Sequence, residues 1–197
     1  MLDKSYKKLL AVLAIITVLG TLAGNINNIH DFFSQTLPSK SQAQKLYGIW
    51  YGDYSYPISG GRLAVKGTTE YFKNNKYNFI GEIAVTAEKG GHSVKVRYDV
   101  DGTGLWQVDE QSLTVTLNQL RSVVKDASYD GHPLDIQAWT QATGQQLPGL
   151  DQAMVNGMSD DFTILSLTER RLELASDAPK GGKLTLAMTR RDQVFSH

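Results

Sequence analysis

Residues that commonly carry catalysis are few in this chain, and their spacing does not suit catalysis. The four histidines are His30, His92, His132 and His197, and their positions are typical of solvated surface histidines. The sequence contains no Gly-x-Ser-x-Gly nucleophile elbow, no phosphate-binding glycine-rich motif and no His/Glu pair at zinc spacing. We therefore expect a protein that is not an enzyme and that uses no metal or cofactor.

Two pairs of neighbouring carboxylates are the remaining candidates for acid–base chemistry. Asp160 and Asp161 are adjacent, and adjacent strand residues point to opposite faces of a sheet. Asp99 and Asp101 are two residues apart at a predicted turn, which is an ordinary place for polar residues. Neither pair predicts a catalytic dyad.

Ligand binding is better supported than catalysis. Several segments alternate apolar with polar residues, which is typical of half-buried antiparallel strands. The residues expected to point into the interior, and to contact any ligand there, are Tyr77, Phe79, Ile83, Val96, Tyr98, Val115 and Leu117. Two alternatives stay open: an interior filled by side chains, which is favoured, or a pocket for one small apolar or amphipathic molecule.

The same alternation defines the elements that position these residues. About eight strands are predicted, with the seventh counted as one or two: Leu46–Tyr56, Arg62–Phe72, Lys76–Glu88, His92–Val100, Leu105–Val108, Ser112–Leu120, Phe162–Leu174 and Lys183–Arg190. Short turn segments connect them, among them Lys73–Lys76, Gly90-Gly91 and Asp101-Gly102. The predicted fold class is mainly β, an up-and-down antiparallel barrel without exposed edge strands.

One stretch, from Val124 to Asp161, interrupts the alternation. Leu150 and Met154 are four residues apart within it, as on one face of a short helix. Long insertions between strands are more often functional than not. We expect the insertion at 124–161 to form a lid or flap that contacts a partner protein through Trp139, Leu150 and Met154.

The N-terminus has the pattern of a membrane-inserted segment. Lysines at positions 4, 7 and 8 precede the uncharged apolar run Leu9–Ala23, and no lysine or arginine follows until Lys40. This asymmetry predicts a cytoplasmic N-terminus and a domain across the membrane. An uncleaved anchor is favoured over a cleaved signal peptide because no sharp small-residue cleavage site follows the run. The predicted organisation is a tail at 1–8, a membrane helix at 9–29, a linker at 30–45 and a barrel at 46–197.

Composition narrows the class of partner. Twenty basic and twenty acidic residues balance to a net charge of zero, and no basic stripe interleaved with aromatic residues is present, so no nucleic-acid partner is expected. The chain contains no cysteine. An exported domain of this composition must rely on its hydrophobic core rather than on disulfides.

A short motif indicates how one end of the barrel is closed. Gly48-Ile49-Trp50 is similar to the Gly-x-Trp that opens the first strand of lipocalins and their relatives, in which a basic residue near the last strand often covers the tryptophan ring. Arg190 or Arg191 stands at that position here. The resemblance implies that Trp50 and Arg190 together close the barrel.

The order of features along the chain also resembles one family. The membrane segment is followed by TEYFKNNKYNFIGEIAV, GLWQVDEQSLTVTLNQL and, near the end, RRLELAS and GGKLTLAM. These segments resemble the ToxS-type accessory proteins of enteric and marine bacteria, including their VtrC-type bile-sensing relatives. The chain differs from that pattern in a longer first hairpin region, YSYPISGGRLAVKG, and in an insertion with its own Trp139 and Met154.

The resemblance implies a fold, a location and a role. Proteins of this type have one membrane helix and a lipocalin-like periplasmic barrel, and each works with a membrane-bound winged-helix transcription regulator. It implies a non-enzymatic, single-pass protein of the bacterial inner membrane, N-terminus in and main domain in the periplasm, that binds and stabilises or modulates such a regulator. Whether a small amphipathic ligand also modulates the pair of proteins is left open by the resemblance. The alternative is a secreted, soluble lipocalin-like carrier of small hydrophobic molecules.

Overall fold

The computed structural model describes residues 40–154, 156–177 and 183–194. The predicted tail at 1–8, the predicted membrane helix at 9–29 and the predicted linker up to residue 39 lie outside the described residues. Within the described part of the chain, no helix combines the length and the apolar character that a membrane crossing requires.

The described chain forms mainly strands, with two short α-helices and one turn of 3-10 helix at Leu150–Gln152. In chain order the other elements are α1 (Lys40–Leu46), β1 (Gly48–Ile58), β2 (Gly61–Tyr71), β3 (Lys76–Lys89), β4 (His92–Val108), β5 (Ser112–Tyr129), β6 (His132–Pro133), α2 (Ile136–Thr143), β7 (Ser159–Leu167), β8 (Arg171–Asp177) and β9 (Lys183–Arg191).

The strands form one antiparallel sheet that closes into a ring. Neighbouring strands follow the order β4-β3-β2-β1-β9-β8-β7-β5, and the pairing of β4 with β5 joins the two ends. The short β6 pairs with the end of β5, so eight of the nine strands make up the ring. The mainly-β, antiparallel barrel of about eight strands predicted from the alternation is therefore confirmed.

The tight turns follow from residues that accept a left-handed backbone. Gly90 and Gly91, with φ of 60° and 78°, form the two-residue connection between β3 and β4, as the type I′ hairpin turn requires. Asn75, with φ of 62°, ends the connection between β2 and β3. Asp109 stabilises the next turn because its Oδ1 accepts hydrogen bonds from the amides of Gln111 and Ser112.

Several predicted strand boundaries are wrong, although the strand number is right. β4 continues through Asp101-Gly102 without a turn, so two predicted strands are one. The segment Phe162–Leu174, predicted as one or two strands, contains parts of two. β5 continues to Tyr129, beyond the predicted end at Leu120. Its register against β4 shifts by one residue at two places, and each shift adds a residue that breaks the period of two. The inward residues of β5 are therefore 113, 115, 117, 120, 122, 124, 127 and 129.

The ring is complete along only part of its height. β1 pairs with β9 over Ile49–Gly52, and β5 pairs with β7 over Ser112–Thr116. Above this level the five long strands β1 to β5 continue, and the insertion between β5 and β7 fills the space that β7 to β9 leave. The insertion packs Trp139 and Leu150 into the same hydrophobic cluster as Ile58 of β1. It is therefore part of the core, and it is shorter than the predicted 124–161.

The end of the predicted linker is also part of the domain. Residues 40–45 belong to α1, and Leu46 ends this helix rather than starting the first strand. Ala43 and Leu46 are buried in the cluster that contains Trp50, so α1 covers one end of the barrel. We call this end the α1 end and the opposite end the insertion end.

Candidate ligand-binding site

The residues predicted to line the interior all lie on the inner face of the ring, because each shares its face with fully buried residues of the paired strands. Tyr77, Ile83, Val96, Tyr98 and Leu117 are buried, while Phe79 and Val115 are half-buried. The strand alternation therefore placed these side chains on the correct face. Their contact with a ligand stays a prediction.

The interior consists of two clusters of buried side chains. The cluster at the insertion end includes Val96 and Tyr98, and the cluster at the α1 end includes Trp50 and Trp106. Tyr54 and Phe79 pack against both clusters. These two aromatic residues therefore mark the middle level of the barrel.

Inward-facing glycines make room for the rings of two tyrosines. A Cβ atom on Gly52 would lie 3.0 Å from Cε1 of Tyr54, and a Cβ atom on Gly104 would lie 2.6 Å from Cε1 of Tyr77. Both distances are shorter than an ordinary van der Waals contact. The two rings thus occupy space against the sheet that only glycine leaves open.

Asp160 places a carboxylate on the inner face. It pairs with Val115 of β5, which points to the same side as the fully buried Leu113. The neighbouring Asp161 points outward, where its Oδ1 accepts a hydrogen bond of 2.6 Å from the hydroxyl group of Thr114. The two carboxylates therefore lie on opposite faces, as the sequence predicts.

The charge of Asp160 acts on three tyrosine hydroxyl groups. Burial, and after it the Asp160 carboxylate, raises the pKa of Tyr56 and of Tyr77 to about 12. The pKa of Tyr54 is also raised, by burial first and then by Tyr56 and Asp160. The three hydroxyl groups are protonated at neutral pH and are available as hydrogen-bond donors.

Asp160 is recessed among barrel atoms but is not sealed from solvent. Burial among barrel atoms, with a smaller contribution from Asp161, raises the pKa of Asp160 above its ordinary value. The residue nevertheless has an exposed surface. The carboxylate is thus partly desolvated and yet accessible to solvent, and we call the region between it and the hydroxyl groups of Tyr54, Tyr56 and Tyr77 the cleft.

The polar groups of this cleft are not paired with one another. Among the described residues, no lysine or arginine forms an ion pair with Asp160, and the hydroxyl groups of Tyr54, Tyr56 and Tyr77 donate no hydrogen bond. None of these oxygens is sealed from solvent without a partner. The cleft therefore offers one carboxylate and three hydroxyl groups to whatever enters it.

Trp50 and Arg190 close the α1 end. Trp50 is fully buried, and its Nε1 donates a hydrogen bond of 2.7 Å to the carbonyl oxygen of Leu46. The guanidinium carbon of Arg190 lies 4.4 Å from the centroid of the Trp50 ring. Arg191 instead covers the ring of Tyr51 on the outside, at 5.0 Å. Of the two arginines considered from the sequence, Arg190 is thus the one that contacts Trp50.

The residues predicted to bind a partner are mostly in the core. Trp139 is 2% exposed and Leu150 is fully buried, while Met154 is half-buried. Burial of Trp139 and Leu150 removes them from any surface that a partner protein could reach in this conformation. Nε1 of Trp139 is buried without a hydrogen-bond partner among the described residues. Trp139 and Leu150 hold the insertion against the sheet.

The histidines and the outer carboxylates have ordinary surface environments. Nδ1 of His92 lies 2.7 Å from Oδ2 of Asp130 in an exposed pair, and His132 is exposed, while His30 and His197 lie outside the described residues. Oδ1 of Asp99 lies 3.1 Å from Nζ of Lys125. Across residues 40–154, 156–177 and 183–194, no group of three or more histidine or acidic side chains is arranged to hold a metal ion.

Sequence reasoning missed Tyr54, Tyr56 and Asp160. A signal for the tyrosines was present, because stepping by two from Trp50 along β1 reaches both of them on the same face. Stepping back by two from the apolar Phe162 reaches Asp160 on the same face. A polar residue at such a position, however, can mark either a binding site or simply the end of a strand.

Comparison with known proteins adds no family. No protein-family model matches the chain, and no curated protein matches it.

Proposed function

We propose that the barrel is a lipocalin-like binding domain for one small amphipathic molecule, and that the full-length protein acts as a non-enzymatic accessory to a membrane-bound transcription regulator. The single observation that carries the first part is that an accessible carboxylate, Asp160, shares the inner face of the ring with Tyr54, Tyr56 and Tyr77. A mostly apolar pocket with a few convergent polar groups is the usual form of a small-molecule site.

The position of the cleft supports entry of a ligand. The cleft lies at the level where β1 parts from β9 and β5 parts from β7, so the wall changes there from strands to the insertion. Tyr54 and Tyr56 belong to the part of β1 that pairs with β2 alone among the described strands. A molecule can therefore reach Asp160 from this side without separating two paired strands.

The same part of β1 supports the accessory role. Along this part of β1 the insertion, and not a second strand, lies beside the edge, so its backbone donors and acceptors are not used in strand pairing. Adding a strand to such an edge is a common mode of recognition. A regulator domain docked on this edge would be stabilised by mass action against unfolding and proteolysis. A ligand held between the two chains would add affinity through the same linkage.

The ligand part is tested with Nile red, a neutral fluorescent probe, on the full chain. We expect saturable binding, and we expect Tyr56→Ala to weaken it by about fivefold or more, since a large part of the aromatic wall is lost. Tyr51→Ala, on the outer face of the same strand, is the matched control and should leave the affinity unchanged. Absence of saturable binding, or equal effects of the two variants, would overturn this part.

The partner part is tested in cells with a photo-crosslinking residue placed at Ser55 on the β1 edge. A matched control carries it at Lys95, an exposed residue on the outer face of β4. We expect Ser55 alone to crosslink to a membrane protein that mass spectrometry identifies as carrying a DNA-binding domain. Crosslinking from both positions, or only to unrelated proteins, would argue against the accessory role.

The secreted carrier is separated from this proposal by the intact mass of the protein in a washed membrane fraction. A mass that includes Met1 or Leu2 supports the anchored accessory. A soluble species that begins near Gly24 supports the carrier instead.

A further inference from the structure

We propose that the Asp160 carboxylate and the rings of Tyr54, Tyr56 and Tyr77 bind an organic cation, namely the quaternary ammonium or amine group of a small amphiphile. This inference rests on the proposed function, because it assigns the chemical class of the molecule that the barrel binds.

The first argument is the uncompensated charge. In the described strands, the charged residues that face inward are Asp160 and Arg190. The guanidinium of Arg190 is occupied at the α1 end, where it covers Trp50 and donates to backbone carbonyl groups. Asp160 thus faces the interior without a cation from the described chain. A negative charge that is partly desolvated is stabilised most by a positive charge that enters with the ligand.

The second argument is the aromatic surround. Tyr54 and Tyr56 are two residues apart on β1 and therefore share a face, and Tyr77 comes from β3. Tyrosine ring faces attract cations that approach within about 6 Å of the ring centroid, and the attraction increases when water is excluded. The glycines that seat the rings of Tyr54 and Tyr77 fix their positions before a ligand arrives. Such preorganisation reduces the entropy lost on binding.

The third argument is the disfavoured alternative. An anionic headgroup at the same place would lie beside Asp160, with no lysine or arginine among the described residues to offset the repulsion. It would also have to displace water from the carboxylate without replacing its interactions. The cleft therefore selects against acidic amphiphiles and differs in this respect from a site for bile acids.

The test uses two probes of the same shape and different charge. Choline carries a trimethylammonium group, and 3,3-dimethylbutan-1-ol replaces it with a neutral tert-butyl group. Both are titrated into the full chain in the neutral detergent dodecyl maltoside, and dissociation constants are measured by ligand-observed NMR. We expect choline to bind about tenfold more tightly, as one desolvated cation–π contact with a nearby carboxylate implies.

Two substitutions on one strand locate the preference. Asp160→Asn removes the inward charge and should bring the two dissociation constants to within about twofold, whereas Asp161→Asn removes the outward charge and should leave the preference intact. Circular dichroism checks that both variants are folded. Tyr56→Leu, compared with Tyr56→Phe, gives a second measurement that does not depend on position 160: only the leucine variant should lose preference for choline.

The outcomes separate this inference from the proposed function. Equal binding of choline and its neutral analogue by the wild-type chain, together with saturable Nile red binding, overturns the cation site and leaves a neutral ligand site standing. A choline preference that survives Asp160→Asn also overturns it. If the chain binds neither Nile red nor choline, both the ligand function and the cation site are overturned.

Discussion

The guanidinium of Arg190 lies over the ring of Trp50, 4.4 Å from its centroid, and the two residues face each other across β1 and β9. The same guanidinium donates hydrogen bonds to the carbonyl oxygens of Lys45, Tyr47 and Glu169. One side chain thus joins the first strand, the last strand, the end of α1 and the turn between β7 and β8. The closure of the ring and the covering of its α1 end are therefore one structural unit.

Replacing Trp50 should strongly destabilise the fold. Trp50 is fully buried, so Trp50→Ala removes a large contact area, leaves a cavity and should lower the free energy of unfolding by about 3–5 kcal/mol. Urea denaturation monitored by circular dichroism measures the loss. The control is Tyr51→Ala, whose half-buried side chain faces outward and should cost about 1 kcal/mol or less. Similar midpoints for Trp50→Ala and wild type would remove Trp50 from the core.

Arg190 should be irreplaceable by lysine. Arg190→Lys keeps the charge but cannot reach several carbonyl groups with one planar fork, so we expect a loss of about 1–3 kcal/mol in unfolding free energy. Arg191→Lys, beside it on the outer face, is expected to change stability by less than about 0.5 kcal/mol. Thermal melts of the two variants compare them directly, and equal shifts would show that the carbonyl contacts of Arg190 contribute little.

The inward residues of a strand can be predicted from sequence only where the folded strand keeps the strict two-residue alternation. Tyr77, Phe79 and Tyr98 could be assigned to the inner face because β3 and β4 keep a strict period of two. β5 does not, since two register shifts against β4 move its inward residues by one position each. Such shifts accommodate the curvature of a closing sheet, and no local sequence feature of residues 118–125 predicts them.

Only part of the candidate site could be predicted from the sequence, for a related reason. Trp139 and Leu150 looked like surface anchors because an irregular segment of this length is usually a flap, and only the three-dimensional ring reveals the opening that they fill. Asp160 is a candidate site residue because its charge acts on three tyrosines that are distant in sequence, on β1 and β3. Contacts of that kind depend on the pairing order of the strands, which alternation alone does not specify.

Asp160 should destabilise the unliganded domain at neutral pH. Its pKa is raised in the folded state, so the folded state binds the proton more tightly than the unfolded chain, and stability is lost as the pH rises through the raised pKa. Asp160→Asn should therefore raise the melting temperature at pH 7, and the difference from wild type should disappear below pH about 4, where the wild-type carboxyl is protonated in both states. Thermal melts across this range measure it.

The groups that face Asp160 define the control for this pH dependence. Tyr54, Tyr56 and Tyr77 have raised pKa values and do not titrate in the acid range, so none of the three contributes to this dependence. Asp161→Asn should not reproduce the stabilisation, because its carboxylate is exposed and accepts a hydrogen bond. A melting temperature for Asp160→Asn at or below that of wild type at pH 7 would contradict the prediction.

Ser122 should control how firmly the insertion is held. Its Oγ accepts a hydrogen bond of 2.9 Å from the amide of Leu150 and donates one of 2.7 Å to Oδ1 of Asp151. Ser122→Ala leaves these groups without partners and should weaken the local structure by about 1–2 kcal/mol. Hydrogen exchange of peptides spanning 144–154 should then speed up by about tenfold, with β3 unaffected. Ser55→Ala on the β1 edge is the control and should leave the exchange of this segment unchanged.

Gly104 should tolerate no side chain, whereas Gly102 on the same strand and the same face should. A Cβ atom at Gly104 would lie 2.0 Å from the carbonyl oxygen of Thr116 and 2.6 Å from Cε1 of Tyr77, while the nearest atom to a Cβ at Gly102 is 3.5 Å away. We therefore expect Gly104→Ala to cost about 1–3 kcal/mol through overpacking. Gly102→Ala should be neutral, or stabilising by up to about 1 kcal/mol, because alanine restricts the unfolded chain.

The pair of glycine variants also tests the construction of the cleft. If the ring of Tyr77 occupies the space beside Gly104, then Gly104→Ala has to displace that ring toward the middle of the barrel. Nile red affinity should therefore fall even if the variant is stable enough to remain folded. Gly102→Ala should leave the affinity unchanged. Equal stability and equal probe affinity of the two variants would mean that the Tyr77 ring does not occupy the space that Gly104 leaves open.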